Sequence, residues 1–263
     1  MSKLGIKINQ DFAFLKFMMR GKKSDVIFFP GCAFMKLGYD LSYKVLSLIR
    51  RTYKNAEICS ICCSNPSIVL SKEYHDKQKK KIVNFLIDRN AKIIYTACPN
   101  CFKMLKYIFN EFNLNIEVLM VYDYINKEID SIGVYHKIQD RVVVHDPCIM
   151  RNQPNTQNAV RNILDTVGQE YIDVSNSRNK TVCCGNINML HFTNKRASSL
   201  IRNKRVDELK KTANIICSYC NGCLNSFLKE NVKVIHLLEL VFGKSKSNNY
   251  FNRLCMTFKL EKI

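Results

Sequence analysis

Two pairs of adjacent cysteines constrain this chain more than any other feature. Cys62-Cys63 and Cys183-Cys184 each sit inside a larger pattern, and the pattern occurs twice. The first copy reads Cys32, Cys62-Cys63, then Cys98-Pro99-Asn100-Cys101; the second reads Cys148, Cys183-Cys184, then Cys220-Asn221-Gly222-Cys223. Matched cysteines lie 116 residues apart for Cys32 and Cys148, 121 for Cys63 and Cys184, and 122 for Cys98 and Cys220. Five cysteines repeated at nearly one offset mark an internal duplication with two equivalent thiol-rich sites. The 263 residues then form two similar lobes, each of ~120 residues and long enough to bury its own core.

The 13 cysteines do not read as a disulfide scaffold. No small-residue cleavage site follows the short apolar stretch Phe12–Met19, so no secretory leader is expected. That stretch reads as a helix packed on the protein's own core, with docking on a partner or a membrane surface as the alternative. No run approaches the ~18 apolar residues of a membrane span. In a reducing cytoplasm, the expected location, clustered thiols bind metal or carry out redox chemistry. Cys59, Cys217 and Cys255 fall outside the repeat and read as buried bystanders, with Cys217 a possible spare ligand.

Short apolar runs lead into the cysteines. Val26–Phe29 precedes Cys32, Ile93–Tyr95 precedes Cys98, Val142–Val144 precedes Cys148, and Ile215-Ile216 precedes Cys217 and Cys220. Continuous apolar runs of this length fit strands buried on both faces of a parallel sheet. Ile82–Ile87, Met104–Phe112 and Leu224–Leu228 repeat at helical spacing. Further strands follow at Ile116–Met120 and Val232–Ile235. The expected class is α/β: two lobes related by duplication, each a small, mostly parallel sheet flanked by helices, with the cysteines at strand ends near the lobe interface. The expected division is an N-terminal extension over 1–24, lobes over 25–130 and 131–243 joined near Lys127–Lys137, and a tail over 244–263.

Thiolates are soft ligands that select zinc, copper(I) or iron–sulfur clusters. A tetrahedral zinc site takes four ligands, and each copy here offers five. Adjacent cysteines point in different directions and suit a larger object with several irons. No CxxCxxCxxxCP run, GxGxxG, P-loop, HExxH or CxxCH occurs, which disfavours an ordinary ferredoxin site, a nucleotide fold, a zincin and c-type haem.

Phe29-Pro30-Gly31-Cys32, Cys62-Cys63 and Cys98-Pro99-Asn100-Cys101, with His145-Asp146-Pro147-Cys148, Cys183-Cys184-Gly185 and Cys220-Asn221-Gly222-Cys223, resemble the duplicated cysteine-rich CCG domain. That domain occurs in the B subunit of heterodisulfide reductase. It also occurs in iron–sulfur subunits of lactate-utilisation and anaerobic glycerol-3-phosphate dehydrogenase systems. The resemblance covers about residues 25–240. It implies a noncubane [4Fe-4S] cluster in each motif, the two facing each other across the lobe interface with a disulfide substrate cleaved between them. One cluster would be held by Cys148, Cys183, Cys184, Cys220 and Cys223, the other by Cys32, Cys62, Cys63, Cys98 and Cys101. Ser64 departs from the family, which has glycine after the cysteine pair. The first site is therefore open to a cluster, zinc or nothing. His145 and Asp146 are candidates for proton delivery or cluster tuning; in the plainer alternative Asp146 caps a helix and His145 fills a strand end. Tyr219 is expected to pack against the site, and His191 has no assigned role.

The resemblance implies an iron–sulfur oxidoreductase subunit that reduces a disulfide-like substrate with electrons from a ferredoxin-type or flavin partner. Two alternatives stand beside it: an electron-relay subunit of a lactate, glycolate or glycerol-3-phosphate dehydrogenase complex, and a zinc-stabilised structural or nucleic-acid-binding module. The net charge of +19 invites the last of these. Its lysines are spread along the chain, however, and the densest run, Lys77–Lys81, leads into a helical pattern as a solvated helix start does. Steering toward an acidic redox partner suits the charge better, and no nucleic acid is expected.

Overall fold

The computed structural model describes residues 3–18 and 22–245, of residues 9 and 12–18 the backbone alone. The side chains of the apolar stretch at 12–19, and Cys255 with nearly all of the expected tail, therefore lie outside the described residues. The chain divides into two compact units, the first running to Met120 and the second from Val121 to Ser245. The division falls where a strand ends, ahead of the lysine-bearing stretch at 127–137.

The first unit holds α1 (Lys3–Met18), β1 (Val26–Phe29), α2 (Tyr39–Thr52), β2 (Glu57–Ile58), α3 (Lys72–Asp88), β3 (Ile93–Thr96), α4 (Pro99–Glu111) and β4 (Glu117–Met120). The second holds α5 (Val121–Glu128), β5 (Val142–His145), α6 (Pro154–Val167), β6 (Tyr171–Ile172), α7 (Leu190–Thr193), α8 (Lys195–Lys210), β7 (Ile215–Ser218), α9 (Asn221–Phe227), β8 (Lys233–His236) and α10 (Leu237–Phe242). Each unit has one four-stranded sheet, in the orders β2-β1-β3-β4 and β6-β5-β7-β8, and every pairing is parallel. The registers match as well: Phe29 pairs Thr96 at the end of β1 as His145 pairs Ser218 at the end of β5. The α/β class and the two similar lobes read from the sequence are what the chain forms.

The central strands β1, β5 and β7 are buried along their whole length, as strands covered by helices on both faces must be. Helices supply the cover through one apolar stripe each. On α2 it is Leu41, Val45, Leu46 and Ile49; on α4 it is Phe102, Leu105, Ile108 and Phe109. The basic run lies within α3, which is capped by Ser71, whose hydroxyl accepts from the Tyr74 N–H at 3.2 Å. There Lys79 pairs with Asp76 at 2.8 Å and Glu111 at 2.7 Å, and Lys81 pairs with Asp11 of α1 at 3.1 Å. Helix α1 is thus tied to the first unit, and it buries Ile6 and Gln10.

Both cysteine pairs are followed by a left-handed turn. In the second unit Gly185 takes it with φ 87°, and a Cβ there would stand 2.4 Å from the Ser198 carbonyl oxygen on α8. The Ser198 hydroxyl donates back to the Gly185 carbonyl at 2.8 Å. Only glycine fits. In the first unit Ser64 takes the same turn with φ 65°, wholly buried. Its carbonyl accepts from the Ser67 N–H at 2.9 Å and the Ser67 hydroxyl at 2.6 Å. That leaves the Ser67 oxygen to accept from Nδ1–H of His75 at 2.8 Å. The serine departure therefore keeps the turn and strains it, where the glycine copy is unstrained.

A buried ion pair pins the loop after β5. Arg161 of α6 holds both carboxylate oxygens of Asp146, at 2.5 and 2.7 Å, and also engages Asp173. The Arg178 N–H and the Tyr219 hydroxyl donate to the same carboxylate at 2.8 and 3.0 Å. Asp146 is fully buried and Arg161 nearly so.

Three outcomes are expected in urea unfolding. Gly185→Ser destabilises the chain by about 2–4 kcal/mol, through overpacking against α8 and left-handed strain, whereas Ser64→Gly stabilises it by up to ~1 kcal/mol by relieving that strain. Arg161→Met leaves a buried carboxylate unpaired and lowers stability by about 3–5 kcal/mol.

Candidate metal centres

Sheet topology explains why the cysteines meet. From β1 the chain moves outward to β2, then crosses back to β3 on the other side. The segments leaving β1 and β3 diverge, and a crevice opens at the carboxyl edge between them. Cys32 follows the end of β1, Cys62 and Cys63 follow β2, and Cys98 and Cys101 follow β3. The second unit repeats this with Cys148 after β5, Cys183 and Cys184 after β6, and Cys220 and Cys223 after β7. In each CxxC motif the first cysteine is the residue before the helix and the second lies in its first turn. Gly31, with φ 82°, passes directly over one such motif: a Cβ on it would stand 2.7 Å from Cys98 Cβ and 2.9 Å from Cys101 Sγ.

The five thiols of each unit form one hydrogen-bonded chain. In the first unit it runs Cys32, Cys62, Cys63, Cys101, Cys98. In the second it runs Cys148, Cys183, Cys184, Cys223, Cys220, the same positions in the same sequence. None of the described cysteines is in a disulfide. Cys32, Cys148 and Cys183 are half-buried and mark the open side of each site; the other seven are buried.

Hydrogen bonding splits the thiols into donors and acceptors. The hydrogen bonds from Cys101 and then Cys62 lower the Cys63 thiol to about 6 against the opposing effect of burial. At Cys62 the bond with Cys32 pulls downward, but the bond to Cys63 and burial outweigh it, leaving the thiol at about 11. Bonds to Cys63 and Cys98 push Cys101 well up. In the second unit the bonds with Cys148 and Cys184 hold Cys183 far below an ordinary thiol. Cys220 is lowered by its bond with Cys223, and Cys148, Cys184 and Cys223 are raised as the donors. Backbone and amide groups also face sulfur: the Gly185 N–H donates to Cys183 Sγ at 3.2 Å, and Gln10 Nε2 to Cys62 Sγ at 3.4 Å.

Cys59 and Cys217 stand apart. Burial pushes both thiols up to about 12, and Cys59 takes its hydrogen bond at the Ile61 backbone.

His145 and Asp146 part ways. Asp146 turns into the ion pair with Arg161, and Tyr219 joins it there, with its ring edge-on to Tyr122 at 5.3 Å. Burial pushes the Asp146 carboxyl up, but Arg161 and the other donors hold it below the usual range. The helical turn after it, Cys148–Met150, has no side-chain cap. His145 fills the end of β5 and faces the sulfurs: one ring nitrogen lies with Cys184 Sγ and Cys223 Sγ, all within 4.8 Å of one another. Burial, then the charge of Arg205, push its imidazole down to about 3. His191 lies in α7, outside this group. Sequence reasoning missed Gln10 and Arg205. Gln10 lies outside the repeat, and the one sequence signal for Arg205 is an arginine on the same helix face as Val206 and Leu209.

A model of the cysteine-rich CCG domain matches the chain twice, at residues 26–106 and 142–228. The B subunit of fumarate reductase (CoM/CoB) from Methanothermobacter marburgensis is 23% identical over 249 residues, which cover 87% of this chain and 48% of that protein. The chain thus spans about half the length of this relative. Among solved structures, a putative Asp/Glu racemase from Yersinia pestis aligns over 90% of this chain and 100% of its own, at 10% identity and a TM-score of 0.34. Glutamate racemase RacE1 from Bacillus anthracis aligns over 87% and 86%, at 16% identity and the same TM-score. Likeness at that level bears on neither fold nor activity. The twofold match covers most of the chain and both thiol quintets, and the chain belongs to the cysteine-rich CCG domain family.

Proposed function

We propose that this chain is the iron–sulfur subunit of an oxidoreductase, with a noncubane [4Fe-4S] cluster in each thiol quintet, and that it reduces a disulfide-like substrate with electrons from a partner protein. The observation that carries this reading is the five-thiol chain repeated in both units. Five convergent soft donors exceed the four that a zinc ion takes and suit several irons held together. Ser64 keeps the left-handed turn after its cysteine pair, and the cluster proposed for the first quintet rests on its repeating the five-cysteine pattern of the second.

Bound iron–sulfur clusters supply one-electron transfer at these positions. The reaction proposed consumes two electrons and two protons: the S–S bond of R–S–S–R′ breaks, and two S–H bonds form. The half-buried cysteines, Cys148 and Cys183 above all, set the side from which substrate enters. The other residues keep water from the buried sulfurs and hold the loops in register. The relative is by name one subunit of a reductase, which supports a partner protein; the electron source proposed is a ferredoxin-type or flavin subunit. The net charge of +19 favours an acidic surface on that partner. Clustered, unbridged thiols favour a reducing cytoplasm as the working location. No described helix is long and apolar enough to cross a membrane.

Protein purified without oxygen is expected to carry about eight irons and matching acid-labile sulfide per chain. Cys183→Ser and Cys63→Ser each lose about half of both, whereas Cys59→Ala and Cys217→Ala keep the full content. Zinc without sulfide overturns the reading.

A further inference from the structure

The second thiol quintet has a buried neighbour that the cysteine pattern does not account for. His145 and Arg205 are both fully buried. Arg205 Nε donates to His145 Nδ1 at 3.2 Å. A guanidinium in protein is always protonated and only donates. Nδ1 is therefore the acceptor, and a neutral imidazole with Nδ1 as acceptor carries its proton on Nε2. Phe227 packs edge-on to the ring at 4.8 Å and, with Arg205, fixes its orientation. Nε2 has no hydrogen-bond partner although it is buried. With Nδ1 engaged, it is the nitrogen left to face the group within 4.8 Å formed with Cys184 and Cys223.

We infer that His145 is a hydrogen-bond donor to the sulfurs of the second centre, not a metal ligand, and that Arg205 is the positioning residue that keeps the donated proton on Nε2. This rests on the iron–sulfur reading above. A buried N–H left unpaired is costly, and a thiolate or sulfide is the acceptor that completes it. Hydrogen bonds to sulfur stabilise the more negative, reduced state and raise the reduction potential. The first unit has Phe29 at the matching register position, which donates nothing. There the donor is the neutral amide of Gln10, from α1. The two centres are therefore inequivalent, although their sulfurs are arranged alike.

The test is a redox titration of the full chain followed by EPR, with iron and sulfide counted on the same samples. His145→Phe places in the second unit the residue that the first already has. It is expected to keep wild-type iron and sulfide and to shift the midpoint of one EPR signal to lower potential while the other stays in place. Arg205→Met is expected to move the same signal in the same direction, and Arg205→Lys, which keeps a donor, to move it less. Loss of about half the iron in His145→Phe makes His145 a ligand and overturns the inference, as do midpoints that do not move. Pulsed EPR of the wild-type chain grown with 15N-histidine gives a reading that does not depend on any variant folding. A weak nitrogen coupling to one centre supports the donor role; a strong coupling of a bound nitrogen, or none, overturns it. Zinc without sulfide overturns the iron–sulfur reading and this inference together. Iron and sulfide in place without histidine coupling overturn this inference alone.

Discussion

Five thiols crowded at one carboxyl edge of a parallel sheet are the constraint on which the rest depends. Sulfur atoms this close and this buried cannot all ionise. In each quintet some thiols are pushed down and others up by the sulfurs beside them. The backbone bends to allow it: Gly31 has no side chain so that it can lie on the CxxC motif, and Gly185 has none because α8 is already there. The sheet order supplies the crevice, and the glycines remove the atoms that would fill it.

The two units show which parts of such a site tolerate change. The topology, register and thiol chain are the same in both. The surroundings are not. The second unit sets a histidine, an arginine and a buried aspartate–arginine pair around its quintet; the first sets a phenylalanine at the strand end and borrows a glutamine from α1. Duplication preserved the thiols, and divergence acted on the groups that surround them, where charge and hydrogen bonding change without altering how many sulfurs are offered.

Much of this was legible in the sequence, and the reasons for the rest are physical. Cysteine spacing and the apolar runs ahead of each cysteine gave the central strands and the α/β class, because a strand buried on both faces has to be apolar along its length. The edge strands β2 and β6, Glu57-Ile58 and Tyr171-Ile172, are two residues each, too short to carry a period. The helices α2 and α6 carry apolar stripes legible at helical spacing, whereas in α8 lysines and arginines outnumber the apolar residues and leave the stripe faint. The partners of the sulfurs were the least legible. Gln10 is 52 residues from Cys62 and Arg205 is 60 from His145, and no local pattern links residues that only the fold brings together.

Gln10 carries a consequence for how the protein is built. With it, the groups described at the first quintet come from residues 10–101, and those at the second from residues 145–227. Each centre belongs to one contiguous stretch of chain. During synthesis, which proceeds from the N-terminus and lets units fold in turn, the first set of thiols is complete while the second is still being translated. Formation of the two quintets is thus separated in time by the order of the gene, with the half carrying Ser64 first.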